Sequence, residues 1–260
     1  MDGHGHGASS PAVAVALLAP FAVAALTYAV AAAHESRRGR AWPLHRTVMW
    51  MLGLALPASA VFVVLTGAVS ATVHAAMHVA VGMAAPVLLV WAAPVTLALR
   101  TLAVTPARRV SRVLRSALVR AVGHPVTAAV LSVGTLWLLH RTELLAVLTA
   151  HPLGHAALLL HFLAAGVLFT AAVAPVDPSP HRASLRTRAV VLAAAAAAHG
   201  ILSKLVYVDA GGADERAGAQ IMFSGGDAVD LALMLALCAQ WYRAAGRTLS
   251  RRSPALRGTA

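Results

Sequence analysis

SATVHAAMHVAVGMAAP, residues 70–86 of the chain, opens a long apolar run with two histidines, His74 and His78, four residues apart. In a helix such residues share one face, so both imidazoles are expected to point the same way. Histidine is a poor residue for embedding a helix in lipid, but it is well suited to holding a metal ion or a proton. The pair therefore predicts a functional site at the edge of a membrane, provided that other segments bring partner side chains to it.

The composition predicts an all-α, polytopic membrane protein. Of the 260 residues, 59% are hydrophobic and only 12% are charged, which is too little polar surface for a soluble domain of this size. The apolar runs are far longer than barrel strands, so we expect helices. The net charge is +12, and the basic residues responsible for it lie mostly between these runs. We therefore expect them to contact anionic lipid headgroups rather than nucleic acid. The single cysteine, Cys238, excludes an intrachain disulfide and is expected to be a buried, inert thiol.

The apolar runs predict seven spans within one membrane domain over residues 11–243. The spans cover about residues 11–33, 47–69, 73–99, 125–142, 153–173, 189–208 and 220–242. A histidine-containing outer tail over residues 1–10 precedes this domain, and a basic cytoplasmic tail over residues 244–260 follows it. Pro86 and Pro94 are expected to kink the third span, because proline cannot donate a helical hydrogen bond.

The distribution of basic residues predicts the orientation of the bundle. All but three of the 21 Lys and Arg residues lie in the loops 34–46, 100–123 and 174–188 and in the final segment 243–260. The three exceptions are Arg141, Lys204 and Arg216. The positive-inside rule then places the N-terminus outside and the C-terminus in the cytoplasm, for a multi-pass protein of the plasma membrane. Residues 100–123 are also expected to include an interfacial helix.

In this topology, most ionisable residues in or beside the spans lie toward the outer face. They are His74, His78, His140, His151, His155, His161, His199, Asp227 and Asp230. Ionisable groups are costly in a bilayer unless they are paired or face a cavity, so we expect these to converge inside the bundle. Imidazole, carboxylate and the thioethers of Met77, Met83 and Met222, without cysteine, favour copper handled outside the cytoplasm over a structural zinc.

These residues also have structural interpretations. A single histidine in a span, such as His161 or His199, commonly hydrogen-bonds to a neighbouring helix. Lys204 could form an ion pair with Asp227 or Asp230 between the sixth and seventh spans.

The residues nearest the water have structural interpretations of their own. His151 is open to interpretation as a solvated loop residue. The tail with His4 and His6 is either a weak metal-capturing segment or a disordered terminus. Methionines at helical spacing are commonly apolar filler rather than ligands.

Several motifs occur together in a fixed order along the chain. They are His74-Ala-Ala-Met77-His78 with Met83-Ala-Ala-Pro86, Gly123-His124-Pro125, His151-Pro152-Leu-Gly-His155, His161-Phe162, and Ala219-Gln-Ile-Met222-Phe-Ser-Gly-Gly226. From about residue 42 to 243, the chain thereby resembles the caa3-type cytochrome c oxidase assembly factor family, CtaG-like membrane proteins with seven helices. It departs from the family pattern at Leu160, where a glutamate is usual, and at Phe223-Ser224, where the family tends to have Trp-Val-Pro.

The resemblance implies a role in assembling terminal oxidases by supplying copper, and related domains occur fused to copper-uptake membrane domains. The metal-binding positions that it implies are His74, Met77, His78, His151, His155 and Met222. The weaker candidates are His161, His199, Asp227, Asp230 and His140.

Our first hypothesis is a non-enzymatic membrane protein that takes copper at its outer face and hands it to an oxidase subunit or another cuproprotein. The second is an ion or proton transporter that uses His161, His199, Lys204, Asp227 and Asp230. The third is a haem b protein with two imidazoles as axial ligands. A retinal-type photoreceptor, suggested by Lys204 and the seven spans, is the fourth.

Overall fold

The computed structural model describes residues 11–67, 69–150 and 152–252, and all regular structure in these ranges is helical. The helices are α1 (Pro11–Arg37), α2 (Leu44–Thr66), α3 (Ala71–Thr101), α4 (Val104–Leu114), α5 (Ala117–Val122), α6 (residues 125–141), α7 (Leu144–Thr149), α8 (Pro152–Val173), α9 (Leu185–Asp209) and α10 (Ala213–Arg252). The predicted outer tail and His151 lie outside the described residues. The prediction of an all-α fold is confirmed for the described part of the chain.

Six of the described helices are long and apolar enough to cross a membrane, namely α1, α2, α3, α8, α9 and α10. The chain is therefore a multi-pass membrane protein. The fourth predicted span corresponds to α6, which is roughly 25 Å long at 1.5 Å per residue and so shorter than a hydrocarbon core of about 30 Å. It packs between α8 and α9.

Several helices extend beyond the predicted apolar spans. Ser184 caps α9 by accepting a hydrogen bond from the Thr187 amide, so Arg188 lies in the helix and not in the predicted loop. The loop predicted over residues 209–219 is short, because α10 already begins at Ala213. This helix runs to Arg252, well into the predicted basic tail. Hydropathy locates the part of a helix that meets lipid, whereas backbone hydrogen bonding continues into polar residues.

The two ends of the bundle are marked by contacts between helices. At what we call the histidine end, α3 begins at Ala71 and Arg141 forms an ion pair of 2.8 Å with Asp209. At the opposite, arginine end, the buried Arg188 donates to the carbonyl of Val173 at the end of α8. Cys238 of α10 is exposed, so the prediction of a buried thiol is wrong.

Helix α3 lies at the centre, packed against α2, α8 and α10, and it is not regular. Its first turns are α-helical, residues His78–Ala84 are π-helical, and Ala85–Trp91 is α-helical again. Pro94 then ends the hydrogen-bonded run, and Ala93 takes a left-handed conformation with φ of 55°. The predicted break at Pro94 is thus present, while Pro86 follows a π-helical segment, a form common at functional sites.

Two aspartates from other parts of the chain cap the segments of α3. Asp214 accepts hydrogen bonds from the amides of Ala71 (2.7 Å) and Thr72 (3.4 Å) at the histidine end. Asp177, in the connection between α8 and α9, accepts from the amides of Val95 (3.0 Å) and Thr96 (2.7 Å). These amides have no partner within their own helix, so each aspartate satisfies donors that would otherwise be orphaned.

Replacing Asp177 with alanine should destabilise the protein by about 1–2 kcal/mol, the usual cost of losing a helix cap. The side chain accepts three hydrogen bonds, since the Thr96 hydroxyl also donates to it at 2.6 Å. The measurement is the apparent melting temperature in detergent, which should fall by a few degrees. Asp177→Asn keeps one acceptor oxygen and should give an intermediate value, and equal values for all three proteins would contradict the capping role.

Candidate metal centre

A small cavity, which we call the chamber, lies in the interior of the bundle. It has a volume of about 30 Å³ and is bounded by side chains from α3, α6, α8, α9 and α10. Its polar lining residues are His78, Ser132, Thr170, His199 and Asp230. The remaining walls are apolar or formed by glycine, with Met83 as the one thioether among the lining residues. The volume suits a single water molecule or a desolvated ion.

Five buried polar atoms of the chamber have no hydrogen-bond partner within the described part of the chain. They are both ring nitrogens of His78, both ring nitrogens of His199, and Oδ2 of Asp230. The two imidazole rings lie nearly parallel, with centroids 6.0 Å apart. Unsatisfied buried polar groups are costly and uncommon, so their convergence on one cavity indicates a binding site.

Small residues make room for both imidazoles. Gly226 of α10 lies against His199, so a Cβ at this position would fall 2.6 Å from Nδ1 of that ring. A Cβ added at Gly82 would lie 3.4 Å from the ring of His78, so this glycine adjoins the second imidazole. The edge of Phe162 closes the other side of His78, with ring centroids 5.0 Å apart.

A second histidine pair lies closer to the histidine end. His74 and His155 meet edge to face, with ring centroids 5.8 Å apart, and Nε2 of His155 is buried without a partner. His74 and His78 do not meet one common partner, because four residues advance a helix by about 6 Å. His74 meets His155 of α8, whereas His78 lies between Phe162 of α8 and His199 of α9.

Two of the weaker candidates hydrogen-bond to backbone carbonyls. Nε2 of His161 donates to the Leu131 carbonyl, in the π-helical part of α6, at 3.0 Å. Nδ1 of His140 donates to the Leu136 carbonyl of its own helix, also at 3.0 Å. The interhelical hydrogen bond considered for His161 from the sequence is therefore present.

The predicted methionines lie in separate apolar clusters. Met77 packs with Ala60 and Val81, and Met222 packs with Leu136 and Leu202. The thioether that lines the chamber belongs to Met83, which the sequence places in the same part of the membrane without distinguishing it from the other two.

The acidic residues of α10 divide between the interior and the surface. Asp230 is buried and lines the chamber, whereas Asp227, three residues away, is exposed. The predicted ion pair with Lys204 is not formed among the described residues, since the Lys204 ammonium lies over the ring of Phe223 at 5.2 Å.

The donor groups of the chamber are of the kinds that soft or borderline metals prefer. The side chains that carry them are, however, too far apart to coordinate one ion in their present positions. No three His, Cys, Asp or Glu side chains in the described ranges are placed to hold a metal ion as they stand. To hold a metal together, the side chains of His78, His199 and Asp230 would have to come closer to one another. The hydroxyl groups of Ser132 and Thr170 are further polar groups of the chamber, and no spacing along the chain identifies them as such.

The fold and the chamber together define a multi-pass helical membrane protein with an ionisable interior site. A family model described as Cytochrome c oxidase caa3 assembly factor (Caa3_CtaG) matches residues 26–244. The chain belongs to this family, which confirms the resemblance drawn from the motifs.

Two mycobacterial proteins are similar to the chain over most of its length. Uncharacterized protein Mb0105 of Mycobacterium bovis is 32% identical over 256 residues, which cover 88% of this chain and 39% of that protein. Uncharacterized protein ML1998 of Mycobacterium leprae is 30% identical over 234 residues, which cover 80% of this chain and 36% of that protein. The chain thus spans about two fifths of the length of these relatives. No solved structure matches it.

Proposed function

We propose that the protein handles copper in the assembly or metallation of a cytochrome c oxidase, with the chamber as its central binding site. The observation that carries the proposal is the convergence of unpartnered atoms from His78, His199 and Asp230 on one small cavity. Family membership supplies the oxidase as the client. Copper is the cargo here, and the protein acts by binding and transfer rather than by catalysis.

The proposed route begins at the histidine end, which the positive-inside rule predicts to lie outside the cell. In this arrangement α6 acts as the seventh span. His74 and His155 lie on the way inward and would accept the ion first. His78, His199 and Asp230 would then hold it, with the Met83 thioether available beside them. Imidazole suits both copper oxidation states and thioether favours Cu(I), so this donor set fits copper better than a hard cation.

The haem hypothesis has little support from the geometry. The chamber holds about 30 Å³, far less than a porphyrin occupies, and the two rings that flank it are stacked rather than opposed across a flat gap. The transporter hypothesis keeps one supporting observation, the buried pair of His199 and Asp230. Proton flux in vesicles driven by a pH gradient, and lost in Asp230→Asn, would favour that function over copper handling.

Replacing His78 and His199 together with alanine should lower copper affinity at least about a hundredfold, as two coordinate bonds are lost. Copper retention is measured by equilibrium dialysis against a competing chelator, with elemental analysis of the detergent-purified protein. The matched control is His161→Ala, which removes an imidazole that already bonds to the Leu131 carbonyl and should leave copper affinity within a few fold. Equal copper binding by the double variant and the wild type would refute the site.

A further inference from the structure

Two ionisable side chains lie exposed on the surface of the bundle formed by α9 and α10. Lys204 of α9 and Asp227 of α10 are both exposed. Among the described residues neither forms an ion pair, and the Lys204 ammonium has only the ring of Phe223 beneath it. Both residues lie within helices that are long and apolar enough to cross the membrane. An exposed charge in such a position faces lipid and is costly unless something covers it.

The depth of Asp227 makes its exposure significant. His199 lies ten residues before the end of α9 at Asp209, which is about 15 Å along the helix axis. Gly226 packs directly on His199, so Asp227 lies at nearly the same depth. That depth is about half of a hydrocarbon core of roughly 30 Å. Lysine can extend toward the headgroups, but the short aspartate side chain cannot.

On each of the two helices, the exposed residues in line with the charge are otherwise apolar or small. On α9 the exposed residues at helical spacing are Ala193, Ala197, Ile201, Lys204 and Val208. On α10 they are Ser224, Asp227, Leu231 and Leu235. We call these residues the α9–α10 face. Small residues such as Ala193 and Ala197 allow another helix to approach closely, which is the usual basis of helix association in lipid.

We propose that the α9–α10 face binds a second copy of the chain, forming a dimer with its twofold axis along the membrane normal. The face carries one acidic and one basic side chain, so it is complementary to itself. Rotation about that axis brings Asp227 of each copy opposite Lys204 of the other. The Lys204 ammonium lies over Phe223, four residues or about 6 Å along α10 from Asp227, an offset that the long, flexible lysine side chain can span. This inference does not depend on copper binding.

The depth of the pair also explains why the second copy is favoured over lipid alone. In a bilayer each charge on its own carries a large desolvation cost, and attraction within the two reciprocal pairs offsets part of that cost for all four charges. A heterologous partner would need a cation at the depth of Asp227 and an acid at the depth of Lys204. A second copy meets both requirements with residues that the chain already contains.

The test measures dimerisation by energy transfer between donor and acceptor fluorescent proteins fused to the C-terminus, in liposomes at high dilution. The wild type should show energy transfer. Asp227→Lys alone and Lys204→Asp alone should each lower dimer affinity at least about tenfold, because each places like charges opposite one another. A mixture of the two single variants should recover the energy transfer, since every contact between unlike copies then joins opposite charges.

The controls separate this dimer from other arrangements. Ala55→Lys places a charge on the exposed surface of α2 and should leave the energy transfer unchanged. Asp227→Leu and Lys204→Leu provide a second measurement in case a charge reversal prevents folding, and each should weaken the dimer. A monomeric wild type, or single variants that dimerise normally, would overturn the proposal. If energy transfer recovered only when both charge reversals were on one chain, Lys204 and Asp227 would pair within the monomer. This result would also overturn the proposal.

Discussion

Gly226→Ala is expected to weaken copper binding at the chamber while leaving the bundle folded. The added Cβ would lie 2.6 Å from Nδ1 of His199, closer than real Cβ contacts allow, so the imidazole must leave its position. His199 then no longer faces His78 across the chamber, and copper affinity should fall at least about tenfold. Overpacking of this kind costs about 1–3 kcal/mol, which leaves a folded but weaker protein.

The matched control for this variant is Gly200→Ala, on α9 in the same helix contact. Its Cβ would meet Phe223 at 3.6 Å, an ordinary contact distance, so copper affinity and melting temperature should stay near the wild-type values. Copper binding is measured by dialysis against a chelator, and folding by elution as a single species. Full copper affinity in Gly226→Ala would show that the position of His199 is not needed for binding.

Gly166→Ala is expected to destabilise the protein more than Gly226→Ala, Gly200→Ala or Gly134→Ala. Gly166 of α8 lies directly against the carbonyl of Gly82, and an added Cβ would also fall 2.6 Å from Cγ of Pro86. Neither backbone nor proline ring can turn aside, so α3 and α8 would have to separate. We expect a loss of about 2 kcal/mol or more, seen as a lower melting temperature and a lower yield of folded protein.

Gly134→Ala makes the same chemical change in α6, but it should raise the stability of the protein rather than lower it. Its Cβ would meet only the Val130 side chain, at 3.5 Å, and alanine is favoured over glycine in a helix by about 0.5–1 kcal/mol. A melting temperature for Gly166→Ala equal to that of Gly134→Ala would mean that α3 and α8 are not in close contact.

The architecture is largely predictable from the sequence, because lipid demands long apolar helices with internal hydrogen bonding. Of the ionisable residues expected to converge, His74 meets His155 and His78 faces His199, whereas Asp227 is exposed. The partner of each side chain was less predictable, since helix rotation and relative depth decide it. Asp227 and Asp230 lie three residues apart, yet only Asp230 enters the chamber. The π-helical segment after Met77 shifts the face that α3 presents, and no apolar period reveals it.

The packing roles of two glycines within helices are not evident from the sequence. Gly226 matters because it leaves space for His199, and Gly166 matters because two backbones touch there. Sequence reasoning identifies such residues as unusual within helices, but only the packing shows which neighbour requires them. The buried Arg188 is a similar case, since the charge count assigned it to a loop while it bonds to the Val173 carbonyl inside the bundle.

The two aspartate caps on α3 have a consequence for motion. Asp214 holds the first turn of this helix from α10, and Asp177 holds its last segment from the α8–α9 connection, so α3 cannot slide along its axis without breaking both sets of bonds. Helix α9 is held at its histidine end by the exposed pair of Asp209 with Arg141, an interaction generally worth at most about 1 kcal/mol. On the proposed copper route, an ion would therefore pass one wall that is fixed at both ends and carries His78, and another that carries His199 and is held at its histidine end by a weak surface pair.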